Sequence, residues 1–403
     1  MAVAYAITIL ILIASSSKSA FGCYDSIISF GDSLADTGNF LLLSPPNNQP
    51  LCGRPPYGRT FFRRPTGRFS DGRLVVDFIA ESLGLPLVEP YAAWKNAAEK
   101  GGSFSKGVNF AVAGATALDA TFFDKRGIHN SYTNASLGVQ LDWFKQFLAR
   151  IPERERRRRR EGGRGRGSAT MSGNKRTESG RGGNRDGKRG REEGQQQGEG
   201  AGEGNGRGFR QQRRRPMGSG GELIKLGVKT MLVPGNLQLG CIPVFLTQYM
   251  TISTEEDYDP KTGCLTWLNE LSMYHNELLQ KELSRIRQLH PRIAIIYADY
   301  YNATTGFYLS PHKFGFSKES VLKACCGAGG PYNYNSLTTC GILPVANCCE
   351  NPWSFVSWDG VHLTEAAYKW ITQGLLQGPY THPHIKTVCP SILGNNTVGE
   401  YEY

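Results

Sequence analysis

The chain has 403 residues, with 46 lysines and arginines against 35 aspartates and glutamates, a formal net charge of +11. Between Ile151 and Gly220 lie 20 basic and 9 acidic residues, so that stretch carries the whole excess and the remainder holds 26 of each sign. This excludes a globally basic nucleic-acid-binding domain, whose folded parts would share the charge, and 39% hydrophobic with 11% aromatic residues exclude a wholly disordered chain.

The chain opens on an apolar run, Ala2 to Ala14, followed by small residues up to Gly22. This is the pattern of a secretory signal peptide spanning 1–22, cleaved after Gly22. A run of 13 apolar residues is too short for a membrane anchor, which needs roughly 20. No later stretch reaches that length, so no integral membrane segment is expected. Ten cysteines follow, at 23, 52, 241, 264, 325, 326, 340, 348, 349 and 389. An even count in an exported chain points to disulfides. The adjacent pairs Cys325–Cys326 and Cys348–Cys349 lack the spacing of a zinc site. The pairing itself stays open. Asn134, Asn302 and Asn395 each begin a glycosylation sequon. The expected compartment is extracellular.

Ser26 to Phe30 is an apolar run ending at a glycine, which predicts a buried strand. Arg73 to Leu83 places Leu74, Val75, Phe78, Ile79 and Leu83 on one helical face. Val108 to Val112 predicts a second strand, and Leu137 to Leu148 starts an amphipathic helix. Val228 to Val233 predicts a strand that stops at Pro234-Gly235. Trp267 to Leu289 predicts a long helix with apolar Leu268, Leu271, Leu278, Leu279, Leu283, Ile286 and Leu289, ended by Pro291. Ile293 to Ala298 is a further strand. Thr364 to Leu376 is a last helix, with Thr364 as its cap. Strands apolar on both faces, alternating with helices, indicate an α/β fold on a parallel sheet. Ligands of such sheets bind beyond the carboxyl ends of the strands.

Residues 150–221 interrupt this pattern. They are rich in Arg, Gly and Glu, and their larger apolar residues are only Ile151, Met171, Phe209 and Met217. So little apolar surface cannot offset the entropy of ordering, and disorder is expected there. The organisation is then a leader (1–22), a first part (23–149), the basic segment (150–221), a second part (222–390) and a tail (391–403).

Two separated motifs carry chemistry. Phe30 to Asn39 (FGDSLADTGN) puts Ser33 just beyond a strand, beside a glycine that permits a tight turn. Backbone N–H groups there can hold an oxyanion. Ser357 to Thr364 (SWDGVHLT) places Asp359 and His362 three residues apart before a helix. One turn can join them as a carboxylate that fixes an imidazole general base. Each motif alone also has a plain structural reading, as a turn and as a helix cap beside a surface histidine.

Together the two motifs resemble the plant GDSL esterase/lipases, the SGNH hydrolases, over residues 24–149 and 222–380. The resemblance includes Arg68 to Arg73 (RFSDGR), Gly107 to Thr116, Pro234 to Asn236 with Gly240-Cys241, and Tyr297 to Asn302. It implies a three-layer, flavodoxin-like parallel sheet, here interrupted by the disordered segment. It implies Ser33 as nucleophile, His362 as general base and Asp359 as its partner. The backbone N–H groups of Ser33 and Gly114 would be oxyanion donors. The substrate would be a small-molecule ester, with no cofactor and no metal. Departing from the family, the chain lacks the Gly-x-Asn-Asp block that brings a third donor on a core strand. That block should fall between Leu148 and Glu222. Gly182 to Asp186 resembles it only superficially, since Arg185 splits Asn184 from Asp186. The chain as written is therefore expected to be an impaired hydrolase, or a faulty gene model of a working one. Cys348 is an extra cysteine beside the family pattern.

Other residues have weaker claims. Tyr332 and Tyr334 could line a substrate pocket or simply belong to a disulfide-bounded loop between Cys326 and Cys340. His382 and His384 lack a third metal ligand, and His129, His275, His290 and His312 show no partner pattern. The alternatives to an esterase are a catalytically inactive relative and, behind it, an Arg/Gly-rich nucleic-acid binder acting through 150–221.

Overall fold

The computed structural model describes residues 9–14, 23–97, 106–129, 132–150, 219–342 and 344–390. Nearly all of the basic segment, the tail 391–403 and much of the leader lie outside these residues. The strands are β1 (Ile9–Ala14), β2 (Tyr24–Phe30), β3 (Gly107–Asn109), β4 (Thr230–Pro234), β5 (Ala294–Ala298), β6 (Cys326–Gly327), β7 (Asn347–Cys348) and β8 (Thr381–His382). Six of them form one sheet in the order β3-β2-β1-β4-β5-β8, and β6 pairs with β7.

Successive residues along each strand face opposite sides, and both sides are covered. Ile27, Leu232, Ile296 and Ala298 pack on one side against the helices Val75–Ser82, Tyr300–Leu309 and Glu365–Leu376. Ile28, Met231, Val233, Ile295 and Tyr297 pack on the other against Tyr91–Ala97, Leu137–Arg150 and Thr266–Leu289. The three layers follow from this alternation, and each side draws on both parts of the chain. Local signals set the helix starts. Thr364 Oγ1 accepts from the Ala367 N–H at 3.2 Å, and Asp299 accepts from the Asn302 N–H at 3.0 Å. Both are N-cap bonds.

The expectation of a parallel sheet needs correction. β2 with β3 and β4 with β5 are parallel, but β1 runs antiparallel to both β2 and β4, and β8 antiparallel to β5. Set β1 and β8 aside and the order reads β3-β2, a vacancy, then β4-β5. That is the doubly wound order 2-1-3-4-5 without its third strand. β1 occupies that place. Ile9 pairs with Phe30 and Leu12 with Ile27 on one side, while Leu10 pairs with Leu232 and Leu12 with Thr230 on the other. The link from Ser15 to Cys23 is too short for a parallel crossover, so the strand must run the other way.

Two further expectations shift. The strand predicted over 108–112 is regular only to Asn109. There the Asn109 side chain takes the Ala111 N–H at 2.8 Å, while the Phe110 and Val112 N–H groups still reach the Ser29 and Gly31 carbonyls at 2.8 and 3.0 Å. Phe110 to Val112 remain buried all the same. On the long helix, Leu268, Ser272, Asn276 and Leu283 are the buried positions. Leu271 (41% exposed), Leu278 (46%) and Tyr274 (59%) form an outward apolar stripe with Trp267. Their 4-3-4 spacing puts them on one face.

Four disulfides staple this frame: Cys23–Cys389, Cys241–Cys264, Cys325–Cys349 and Cys326–Cys340. Cys52 and Cys348 are free thiols. Among the described residues no helix is long and apolar enough to cross a membrane.

A chain starting at Cys23 loses β1, and the facing edges of β2 and β4 lose their ladder partners. Each lost bond costs about 1 kcal/mol. Several together are expected to lower the melting temperature by more than about 5 °C. Hydrogen exchange at Ile27, Ile28, Met231 and Leu232 is expected to rise. Thermal unfolding with exchange mass spectrometry checks both.

Candidate active site

The turn after β2 is held from three sides. Gln140, fully buried, accepts from the Gly31 N–H at 2.9 Å and donates to the Gly31 carbonyl at 2.8 Å. Asp32 Oδ1 accepts from the Leu34 N–H at 3.0 Å, closing the turn around Ser33. Asp36 accepts from the N–H groups of Gly38, Asn39 and Phe40, and from Ala113 N–H at 2.9 Å. That last bond ties the Ser33 turn to the loop carrying Gly114. Asn39 strengthens the tie by donating to the carbonyls of Asn109 and Ala111, both at 2.8 Å. Gly114 has φ +77°, and a Cβ there would lie 2.5 Å from that of Tyr132. Only glycine suits that position.

The second half of the site is the loop before helix Glu365–Leu376. Asp359 and His362 are both buried. His362 Nδ1 lies 2.7 Å from Asp359 Oδ2. Asp359 Oδ1 accepts from the His362 N–H at 2.8 Å and the Val361 N–H at 3.0 Å. Burial pushes the Asp359 carboxyl upward, but the His362 imidazole and these N–H bonds outweigh it and hold it below its ordinary value. The pair is thus a carboxylate against an imidazole. Gly360, at φ +91°, packs under the Tyr334 ring, where a Cβ would come within 2.2 Å.

Residues from the first part of the chain grip this loop. The Phe69 ring lies 4.7 Å from the His362 ring. Tyr57 donates from its hydroxyl to Asp359 Oδ2 at 2.9 Å. Asp71 Oδ1 accepts from the Glu365 N–H at 2.7 Å, at the helix start. Arg73 donates to Glu365 Oε1 at 2.8 Å and to Glu81 Oε2 at 2.9 Å. Arg68 forks onto Asp77 at 2.8 and 2.7 Å and reaches the Thr37 carbonyl at 3.2 Å, joining this block to the Ser33 turn. Burial pushes the Tyr368 hydroxyl well up, and the charges of Asp359 and Asp32 add to it. The turn and the loop therefore face a common tyrosine.

The structure joins Asp359 to His362 directly, and ties the Ser33 turn to the Gly114 loop. Among the described residues Ser33 makes no hydrogen bond to His362, a contact that commonly tightens only around substrate. Tyr334 stands beside the Asp359 loop, and the Cys326–Cys340 disulfide closes the loop that carries it. Tyr332 packs elsewhere, around Leu239 and Leu265. His384 accepts from the Lys386 N–H at 3.2 Å and is a local cap. The sulfurs of Cys326, Cys340 and Cys348 lie within 4.8 Å of one another, but the first two are bonded together.

Asp36, Asn39, Tyr57, Phe69 and Asp71 are the residues that sequence reasoning missed. All but Tyr57 lie inside the quoted motifs, yet nothing in their spacing shows what they hold.

The three-layer α/β frame thus carries a buried carboxylate–imidazole pair and, beyond β2, the Ser33 turn. The comparisons place this frame in a class of hydrolases. The family described as GDSL-like Lipase/Acylhydrolase matches residues 27–166 and 215–375. The chain is 46% identical to GDSL esterase/lipase At1g28610 of Arabidopsis thaliana, over 91% of this chain and 89% of that one. It is 46% identical to GDSL esterase/lipase At1g28600 of the same plant, over 93% and 89%. It is 44% identical to sinapine esterase of Brassica napus, over 94% and 92%. The chain belongs to the plant GDSL esterase/lipases and is a carboxylic ester hydrolase of small-molecule esters.

Asp71 makes the clamp pH-dependent. Burial, together with the nearby Glu365 carboxylate, raises its carboxyl to about 7 despite the Glu365 N–H bond. The unfolded value is about 3.9. Stability from this group is therefore fully present below about pH 4 and is lost as pH rises through about 7. Asp71→Asn is expected to flatten the decline in melting temperature across that window, measured by thermal unfolding at several pH values.

Proposed function

We propose that Ser33 attacks the ester carbonyl while His362 takes its proton, with Asp359 fixing the imidazole. The observation that carries this reading is the buried 2.7 Å contact between Asp359 Oδ2 and His362 Nδ1, which leaves Nε2 as the basic nitrogen. The Oγ–carbonyl bond forms and the carbonyl oxygen becomes an oxyanion, received by the backbone N–H groups of Ser33 and Gly114. Collapse expels the alcohol, which takes the proton from His362. Water then repeats the sequence on the acyl-enzyme, releasing the acid and restoring Ser33.

The chain as written is an impaired form of this enzyme. Three observations support that reading. The family match breaks between residues 166 and 215. The third place in the doubly wound order is taken by β1. Trp267, Leu271, Tyr274 and Leu278 lie exposed in a stripe on the long helix. All three fit the loss of a strand, its covering helices and the Asn donor of the Gly-x-Asn-Asp block. The enzyme is exported: its disulfides suit an oxidising compartment, and Asn134 and Asn302 both stand exposed in sequons. Cleavage after Gly22 would remove β1 and leave the sheet open, so export and impairment go together.

Hydrolysis of p-nitrophenyl acetate, with sinapine as a second substrate because one relative is named for it, tests the reading. Ser33→Ala is expected to lower the rate at least ~10³-fold and to abolish fluorophosphonate labelling. A full chain that is folded but never labelled would instead be a catalytically inactive relative. Replacing residues 150–221 with the matching segment of the At1g28610 relative is expected to raise the rate about 10²–10³-fold, the worth of one oxyanion donor. Sequencing the transcript across residues 149–222 separates a true protein from a faulty gene model.

A further inference from the structure

We propose that Tyr57 is a positioning residue of the triad. Its hydroxyl fixes the Asp359 carboxylate and moderates how strongly that carboxylate supports the His362 imidazole. The proposal rests on the triad reading above.

The carboxylate has two oxygens and four partners. Oδ1 is filled by the N–H groups of His362 and Val361. Oδ2 is shared between His362 Nδ1 at 2.7 Å and the Tyr57 hydroxyl at 2.9 Å. The N–H bonds come from the same loop and move with it. Tyr57 comes from 302 residues away, so among the described residues it alone sets the carboxylate against a separate part of the fold. Its ring is wedged edge-on between Phe69 and Trp358, with centroids at 6.1 and 6.0 Å. Phe69 in turn packs on His362. One aromatic wedge thus fixes both members of the pair.

Sharing Oδ2 has an electronic consequence. A donor on the carboxylate draws off some of the negative charge that would otherwise favour imidazolium. Tyr57 remains a neutral donor, because burial and then the Asp359 charge push its hydroxyl well up. The other titratable groups facing the pair are the Cys52 and Cys348 thiols and the Tyr334 and Tyr368 hydroxyls. Burial pushes all four up, Cys348 to about 11. All four stay neutral in the working range. The carboxylates of Asp32 and Asp36 act on Tyr368 and Cys52 respectively, and neither gives a proton to Asp359 Oδ2.

The test is Tyr57→Phe in the full chain, which keeps the ring and removes only the hydroxyl. The His362 C2 proton is followed by NMR through a pH titration and assigned by its loss in His362→Asn. With the hydroxyl gone, the His362 midpoint is expected to rise by about half a pH unit or more. The acidic limb of kcat/KM is expected to move by the same amount. An unchanged midpoint overturns the proposal, and a lower melting temperature with an unchanged midpoint overturns it too, since that is all a packing role would produce. The midpoint is read without turnover. Absence of Ser33-dependent hydrolysis would therefore sink the nucleophile reading separately.

Discussion

A sheet covered by helices on both faces has no water to satisfy unpaired backbone groups, so every interior strand needs a neighbour on each side. That constraint governs this molecule. β2 brings the Ser33 turn, and β4 and β5 bring the second part of the chain. β2 and β4 sit one strand apart in the sheet. β1 closes the space, with residues on both of its edges in register. The two parts can then share one sheet, and the helices on each face can bury residues from both.

The site inherits that dependence. Ser33 and Gly114 stand on loops after β2 and β3, while Asp359 and His362 stand on a loop from the far end of the chain. Among the described residues no strand pairing joins these two groups directly. Side chains do: Tyr57 to Asp359, Asp71 to Glu365, Phe69 to His362 and Arg73 to Glu365. The Arg68 fork onto Asp77 returns the same block to the Ser33 turn through the Thr37 carbonyl. The stretch from Tyr57 to Arg73 therefore acts as a bracket between the Ser33 turn and the Asp359–His362 loop. Two free thiols, Cys52 and Cys348, lie inside the same cluster with two of the disulfides.

Period and composition revealed much of this. The apolar runs at β2, β4 and β5 and the helices from Val75, Leu137, Thr266 and Glu365 were legible, because a buried face leaves a repeat in the sequence. So was the closeness of Asp359 and His362, which only one turn separates. Hydrogen-bond partners were not legible. Asp36 and Asn39 look like ordinary turn residues until Ala113, Asn109 and Ala111 are brought beside them. Ser272 and Asn276 were passed over on the long helix because they are polar. They are buried in order to hold the backbone of Leu239 and Asn236. Leu271 and Leu278, counted among the apolar positions of that helix, stand exposed. The apolar run near the amino end fits a leader and a strand equally well, since both need only a short row of aliphatic residues.

Closing the sheet is not the same as completing the site. The Ser33 turn lies beyond the carboxyl end of β2. In a parallel strand at the third place, the carboxyl end would lie there too and would lead into a loop able to carry an asparagine. β1 is antiparallel, and its partner at Phe30 is Ile9. The end that reaches the site is therefore its amino end. The backbone ladder is closed by this arrangement, through a strand that runs against its neighbours on both edges. A chain that keeps β1 therefore keeps the sheet closed, whatever the loops beyond β2 and β4 carry.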